Sequence, residues 1–378
     1  MRLAILNITA GGLSGGYRKY LDNLIPYFIG HKDISSLLIA TPEGAIPVDW
    51  RGKYPSVKWV NLKPKMWSLS GIGKNERKII MRFDPEVVLI PTSRFWDAGN
   101  MPTVNMLRNM EPFAPNMKGD TVQEKLKKYI HRRLMRNAIK RADHTIAVSN
   151  FVKDYLTHTL HVPEKNVSMI YHGLTTTTSL SGKTRPASIP SVWADGFLFT
   201  CGSIRPARGL EDVIEALIEL KSRGINMHLV IAGETTPGMK KYRESLDRML
   251  ILGGLTHNVC WAGYLNDEEM SWCFRNCNLF IMTSRIEACP NIAIEAMSYG
   301  AVSIAANNPP LPEFFSDLAA YYEPGNAQSL TTAILSRLSL DDNQRSRLSE
   351  QSQFRSKQFC WDVCAKKTIE ELIKIYKS

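Results

Sequence analysis

The chain has 378 residues, 44% of them hydrophobic and 22% charged, with a formal net charge of +11. That length suits two domains of roughly 170–200 residues, and the balance is that of a globular protein rather than a disordered or collagen-like one. No apolar run approaches the roughly 18 residues of a transmembrane helix, which excludes an integral membrane protein of the helical kind.

Met1–Ile8 lacks a small-residue cleavage site and runs into a glycine loop, so it reads as a first strand, Leu3–Ile8, rather than a leader. Further strand-like runs in the first half are Ser35–Ile39, Val57–Val60, Val87–Ile90, Thr145–Val148 and Val167–Ile170. Helical stretches lie between them, notably Gly16–Phe28, Gln123–Lys140 and Asn150–Thr157. Alternation of this kind predicts a mostly parallel sheet with helices on both faces. The run Gly173–Gly196, with four consecutive threonines from Thr175 to Thr178 and with Pro186 and Pro190, has linker composition.

The alternation then restarts. Phe197–Thr200, Met227–Ala232, Val259–Ala262, Asn278–Thr283 and Val302–Ala305 read as strands. Leu210–Ser222, Met239–Ile251, Asp267–Arg275 and Asn291–Tyr299 read as the helices between them, and Phe354–Tyr376 as an amphipathic helical tail. This pattern predicts a second, dinucleotide-fold-like domain, and two such domains on one linker predict a ligand cleft.

The seven cysteines are scattered, which argues against a disulfide framework and for a reducing cytosol. Cys273/Cys277 and Cys360/Cys364 have helical i,i+4 spacing without a completing ligand set, so they read as thiols and no metal site is expected. Residues 1–174 hold 26 Lys and Arg against 14 Asp and Glu; residues 175–378 hold 21 against 22. The basic half implies an anionic partner. Along Gln123–Arg141, Lys125, Lys127, Lys128, Arg132, Arg133, Arg136, Lys140 and Arg141 are interleaved with Leu126, Ile130, Leu134 and Ile139. A basic helix with an apolar stripe suits docking to anionic lipid, and a solvated basic face on an ordinary packed helix is the alternative. Trp67, Leu69 and Ile72, beside Lys63, Lys65 and Lys74, would add an apolar anchor. No nucleic-acid-binding motif accompanies the charge, so nucleic acid is not expected as a partner.

The chemistry concentrates in Ser284–Met297, which follows the apolar run Leu279–Met282 and opens a helix. Strand carboxyl ends form the binding edge of an open α/β sheet. Pro290 suits a first helical turn, and the N–H groups of Asn291, Ile292 and Ala293 would then be free to meet an anion. Glu287 and Glu295 bring carboxylates that accept from sugar and ribose hydroxyls. By spacing alone the two acids could as well be surface residues.

The segment Glu287…Glu295, continued by Ala296-Met297-Ser298-Tyr299-Gly300-Ala301-Val302, resembles the E-x7-E signature of the family 4 retaining glycosyltransferases. The likeness extends over nearly the whole chain. Gly12–Tyr20, with Gly15 and Gly16, is similar to the family's glycine loop, where the backbone approaches donor phosphate. Arg141–Ser149 resembles its A-D-x-x-I-A-V-S strand, and Tyr171-His172-Gly173 stands where Asn-Gly is usual. Cys201–Leu210 is similar to the G-R-x-x-x-x-K-G stretch whose cations clamp the donor diphosphate. Here Ser203 replaces the Arg and Arg208 the Lys, and Arg205 stands two residues from the vacated charge. Arg208 keeps the charge and adds a bidentate fork. On the acceptor side, where many members carry a histidine, the chain reads Val104–Phe113; Arg108 takes the place, with Asn109 and Glu111 as neighbouring candidates.

The resemblance implies the α/β fold called GT-B, two Rossmann-like doubly wound domains facing a central cleft. The expected division is residues 1–174 as the acceptor-binding domain, 175–196 as linker, 197–355 as the nucleotide-sugar domain, and 356–378 as a helix packing back toward the first domain. It further implies a retaining sugar transferase acting in surface polysaccharide or lipopolysaccharide biosynthesis. The expected partners are a nucleotide-sugar donor, a glycan or lipid-linked acceptor, and an anionic membrane surface met by the basic first half. No cofactor or metal dependence is implied, since the nucleotide-sugar is a substrate, and the expected location is cytoplasmic, peripheral at the inner membrane face. The implied catalytic residues are Glu287, Arg208 and Arg205; donor binding falls to Gly15, Gly16, Ser203, Pro290, Asn291, Ile292 and Glu295. A non-catalytic nucleotide-sugar-binding protein, and an epimerase or hydrolase of sugar nucleotides, stay open on the same fold.

Overall fold

The computed structural model describes residues 1–8, 15–42, 44–47, 49–62, 72–115, 122–174, 184–193, 196–235 and 238–378. The chain forms two compact units, one of Met1–Phe113, Gln123–Thr175 and Phe359–Ser378, the other of Ala114–Val122 and Thr176–Gln358. Gly12–Ser14 of the glycine loop, Lys63, Lys65, Trp67 and Leu69 of the expected apolar anchor, and 175–183 with 194–195 of the linker lie outside the described residues.

In the first unit the elements run β1 (Arg2–Leu6), α1 (Gly15–Gly30), β2 (Ser36–Pro42), α2 (Trp50–Lys53), β3 (Val57–Leu62), α3 (Lys74–Phe83), β4 (Val87–Ile90), β5 (Thr103–Leu107), α4 (Val122–Arg141), β6 (His144–Ala147), α5 (Asn150–Asp154) and β7 (Val167–Met169). The strands pair in parallel in the order β3-β2-β1-β4-β5-β6-β7. Helix crossovers explain the parallel pairing, and burial on both faces explains the near-continuous apolar strands. Three elements go beyond the sequence reading, the short α2, α3 and β5. In β5 the polar Asn105 interrupts the apolar run, yet it is 2% exposed and donates its amide to the Ala138 carbonyl at 3.1 Å. In α3 Ile80 is buried and Phe83, one turn on, packs against the core, while the charged residues take the other side. Ser149 caps α5 by accepting from the Val152 N–H at 3.2 Å.

Helix α4 departs from the expected stripe. Its buried residues are Met135, Ala138 and Ile139, whereas Leu126 is 58% and Tyr129 54% exposed. At about 100° per residue, thirteen residues turn the helix so that Leu126 and Ile139 stand on nearly opposite sides. The i,i+4 run from Leu126 to Leu134 therefore drifts round the helix instead of marking one buried face.

The second unit runs β8 (Leu198–Cys201), α6 (Leu210–Ser222), β9 (Leu229–Ala232), α7 (Lys240–Leu252), β10 (Val259–Gly263), α8 (Asp267–Asn276), β11 (Leu279–Met282), α9 (Asn291–Ser298), β12 (Ser303–Ala306), α10 (Leu311–Phe315), β13 (Ala320–Tyr322), α11 (Ala327–Leu338) and α12 (Asp342–Ser356). Its parallel sheet has the order β10-β9-β8-β11-β12-β13. Phe199, Phe274 and Phe280 meet at ring separations of 5.2 to 6.1 Å in tilted and edge-on pairs, joining β8, α8 and β11. Asn266 and Glu269 form a reciprocal capping box on α8.

The tail expected as one helix is two. Helix α12 ends at Ser356, and α13 (Trp361–Lys377) begins with Cys360 as its N-cap. The break lets the Phe359 carbonyl accept from the Leu174 N–H at 2.9 Å and Cys360 bridge Leu174. Within the first unit, α13 rests on α1, with the Trp361 and Tyr20 rings 6.1 Å apart.

Candidate functional site

In the second unit the strand order reverses between β8 and β11, which are direct neighbours. Loops leaving the carboxyl ends of such strands diverge and create a crevice. The residues of interest sit on these two loops, Gly202–Gly209 after β8 and Thr283–Pro290 after β11.

The first loop is shaped to carry Arg208. Pro206–Arg208 is a 3-10 turn with proline at its start, and the Arg208 N–H donates to the Arg205 carbonyl at 2.9 Å. The guanidinium then lies across Gly202, where a Cβ would stand 2.8 Å from Arg208 Nε; Gly202 has φ +132°. A side chain at that position would be strained and would displace the arginine.

The second loop meets it. Arg208 Nη1 donates to Ser284 Oγ at 3.0 Å and forms an ion pair with Glu287 Oε1. The two side chains are 17% and 16% exposed, so solvent screens the pair less than it would on an open surface. Thr283 Oγ1 donates to the Arg208 carbonyl at 2.5 Å, and the Arg285 N–H to the Ala207 carbonyl at 2.9 Å. Arg285 reaches past the pair to Asp212 in the first turn of α6, with Nη1 2.6 Å from Oδ2 and Nη2 2.5 Å from Oδ1. Sequence reasoning missed Thr283, Ser284, Arg285 and Asp212. Asp212 reads in sequence as a dipole-favoured acid of a first turn, and nothing in one sequence links it to a position 73 residues on.

Two expectations for α9 are corrected. Pro290 is the N-cap rather than the first helical residue. The Asn291 N–H donates to the Cys289 carbonyl at 3.0 Å and the Ala293 N–H to the Pro290 carbonyl at 2.9 Å. The chain turns tightly at Cys289–Pro290 and meets two of the three amides itself, which leaves Ile292 as the member of that trio without a carbonyl partner among the described residues. Glu295 lies further along α9, half-buried, near Cys201. Burial first, then the Glu295 charge, push the Cys201 thiol well above its usual pKa. Ser203 and Arg205 are half-buried on the β8 loop.

The acceptor-side candidates belong to the first unit. Gly15 and Gly16, expected to bind the donor, belong to this unit as well and open α1. Arg108 follows β5 with its guanidinium 5.5 Å from the centre of the Tyr17 ring, a cation–π distance. Asn109 is exposed, and its Oδ1 accepts from the Glu111 N–H at 2.9 Å, which shapes the short turn Glu111–Phe113. His172 is buried between Tyr20 and Trp361, with ring centres 5.4 and 5.8 Å away. Burial, then the Arg108 charge, hold its imidazole down to about 3. All seven cysteines are free, and among the described residues no group of three or more His, Cys, Asp or Glu is arranged to hold a metal ion. No helix among them is long and apolar enough to cross a membrane.

Residues 189–355 match the family model described as glycosyl transferases group 1, and residues 14–178 match the glycosyltransferase family 4 model. The O-antigen chain mannosyltransferase B of Escherichia coli is 23% identical over 177 residues, 46% of this chain and 45% of that protein, so the match spans under half the relative's length. Among solved structures, Anabaena Alr3699/HepE in complex with UDP-glucose aligns with a TM-score of 0.73 at 18% identity, over 99% of this chain and 100% of that one. WaaG, a glycosyltransferase involved in lipopolysaccharide biosynthesis, aligns with a TM-score of 0.68 at 14% identity, over 98% of this chain and 99% of that one. At these identities the structural likeness is one of fold, the two-domain Rossmann-like α/β fold of GT-B glycosyltransferases.

Proposed function

The chain belongs to the family 4 glycosyltransferases, and from that membership we propose that it moves a sugar from a nucleotide-sugar donor to a glycan or lipid-linked acceptor in surface polysaccharide or lipopolysaccharide biosynthesis. The observation that carries this reading is the meeting of Arg208 and Glu287 at the strand-switch edge of the second unit, beside the start of α9. The likeness to an O-antigen mannosyltransferase and to a protein crystallised with UDP-glucose supports the substrate class.

In the proposed reaction the bond between the donor's anomeric carbon and its phosphate oxygen breaks, and one to an acceptor hydroxyl oxygen forms. The acceptor proton passes to the departing phosphate, and attack from the same face retains the anomeric configuration. Charge accumulates on the diphosphate as it leaves. Arg208 and Arg205 supply positive charge for it, and the start of α9 adds an amide dipole. Glu287 and Glu295 accept hydrogen bonds from donor hydroxyls. Gly15, Gly16, Ser203, Pro290, the Asn291 side chain and the Ile292 N–H complete the donor contacts in this reading, and Arg108, Asn109 and Glu111 face the acceptor. No metal takes part.

The second proposed partner is an anionic membrane surface at the cytoplasmic face. On α4, Val122, Leu126 and Tyr129 are 81%, 58% and 54% exposed and continue along the same side of the helix into Arg133, Arg136 and Lys140. Apolar side chains able to insert between lipids, flanked by cations for their headgroups, are what interfacial docking needs.

The test of the whole reading is a thermal-shift panel of UDP-, GDP-, ADP- and dTDP-sugars on the full chain, followed by transfer assays with the donor that stabilises it. Selective stabilisation by one nucleotide-sugar is expected. No response to any of the four classes would overturn the reading.

A further inference from the structure

We propose that Arg285 is a positioning residue for Glu287, acting through a buried clamp on Asp212. The proposal rests on the reading of Glu287 as a donor-side carboxylate.

Asp212 is 1% exposed, so its charge needs full compensation inside the protein. The clamp supplies it from three segments. Asp212 Oδ1 accepts from Arg285 Nη2, and Oδ2 accepts from Arg285 Nη1, the Tyr322 hydroxyl at 2.8 Å and the Gly325 N–H at 3.0 Å. One carboxylate thereby ties the loop after β11 to the end of β13 and the turn before α11. The Arg285 backbone is held as well: its N–H donates to the Ala207 carbonyl at 2.9 Å, and its carbonyl accepts from Asn308 Nδ2 at 2.5 Å.

The path from Arg285 to Asp212 is built for this side chain. It passes Gly209, where φ is +60° and a Cβ would stand 2.5 Å from the Thr283 carbonyl oxygen and 2.9 Å from Arg285 Nε. Only glycine leaves that room. A buried ion pair is a poor way to gain stability, since well-packed apolar side chains do as well or better. What the pair does supply is a fixed geometry, through a planar fork gripping two oxygens. Two residues beyond the fixed Arg285 backbone comes Glu287, and the same fixed segment contacts the turn that carries Arg208. The clamp therefore sets the approach of Arg208 to Glu287 without touching either side chain.

The experiment compares the full chain with Arg285→Lys, Glu287→Gln and the double variant. It reads kcat and KM for the nucleotide-sugar selected by thermal shift, and amide hydrogen exchange across 284–289. Lysine keeps a positive charge near Asp212 but loses the fork. The expected result is a fall in kcat of about tenfold or more together with a rise in KM, since a displaced Glu287 loses part of its hold on the sugar. The double variant should be within about threefold of Glu287→Gln alone, because a displaced glutamate has little left to lose. Exchange at 284–289 should quicken in Arg285→Lys while β8 and β11 keep their protection. Multiplying losses in the double variant, or unchanged exchange at 284–289, overturns the proposal. Should Arg285→Lys fail to fold, Tyr322→Phe removes one donor from Asp212 and leaves the fork, and the same two readouts decide, with smaller expected changes. If the wild-type chain turns over no nucleotide-sugar, the proposed function fails on that result, and hydrogen exchange alone decides the clamp.

Discussion

Arg208 and Glu287, 79 positions apart in the chain, form an ion pair between the loops that follow β8 and β11. A diphosphate arriving at Arg208 and a sugar hydroxyl arriving at Glu287 would each replace part of that pairing. Neither charge then enters the reaction newly desolvated, and both are aimed beforehand, which is how preorganised charges lower a barrier. We expect Arg208→Ala and Glu287→Ala each to cut turnover by about 100-fold or more, comparable to removing one preorganised donor. Arg208→Lys, which keeps the charge in the form usual for this family, should lose less. Steady-state kinetics on the three variants checks this, and near-normal turnover in both alanine variants would defeat the assignment.

Gly209→Ala should destabilise the second unit by about 1–3 kcal/mol, the usual cost of a strained backbone position. Its φ is +60°, and the added Cβ would meet the Thr283 carbonyl oxygen at 2.5 Å. Urea denaturation gives the number, and stability equal to wild type would mean that the two loops do not approach as described.

His172 predicts a specific pH dependence. Its imidazole is held to about 3 in the folded chain, chiefly by burial, against about 6.5 when unfolded. The unfolded state therefore takes up a proton first as pH falls. The stability due to neutral His172 is complete above about pH 6.5 and is lost progressively as pH drops toward 3. His172 Nε2 is buried without a hydrogen-bond partner among the described residues, so phenylalanine should fit between Tyr20 and Trp361 at little cost. His172→Phe should flatten stability between pH 6.5 and 4.5 in denaturant melts. Parallel pH profiles for the two proteins would contradict this.

For membrane docking, Leu126→Asp with Tyr129→Asp should weaken sedimentation with phosphatidylglycerol vesicles by about tenfold or more, the scale of losing one buried apolar side chain. Binding should fall with salt and be absent on phosphatidylcholine. Equal binding by the double variant would leave α4 as a packed helix with a solvated basic face.

Much of the fold is readable from local pattern. Leu210–Ser222 and Val87–Ile90 are bounded in sequence as they are in the structure, because each is an apolar pattern closed by clear stop signals. β5 is hidden because Asn105 satisfies its amide across 33 residues, which no local window contains. The side of α4 that faces solvent is hidden because a drifting apolar run and a buried stripe look alike until the sheet is in place. At the site, Glu287 and Arg208 are recognisable from motif spacing. Their pairing with each other, and the hold of Asp212 on Arg285, are long-range relations that spacing does not encode. The amides of Asn291 and Ala293 are engaged by the chain because a tight turn at Cys289–Pro290 replaces an open first helical turn.

The central claim is that Arg208 and Glu287 grip the two ends of an activated sugar. Isothermal titration of the stabilising nucleotide-sugar, and of its free nucleoside diphosphate, against wild type, Arg208→Ala and Glu287→Gln tests it most directly. Arg208→Ala should weaken both ligands by about tenfold or more, the loss of a charge-assisted phosphate contact, whereas Glu287→Gln should weaken the nucleotide-sugar far more than the diphosphate. Affinities unchanged in both variants, with the fold intact, would contradict the account.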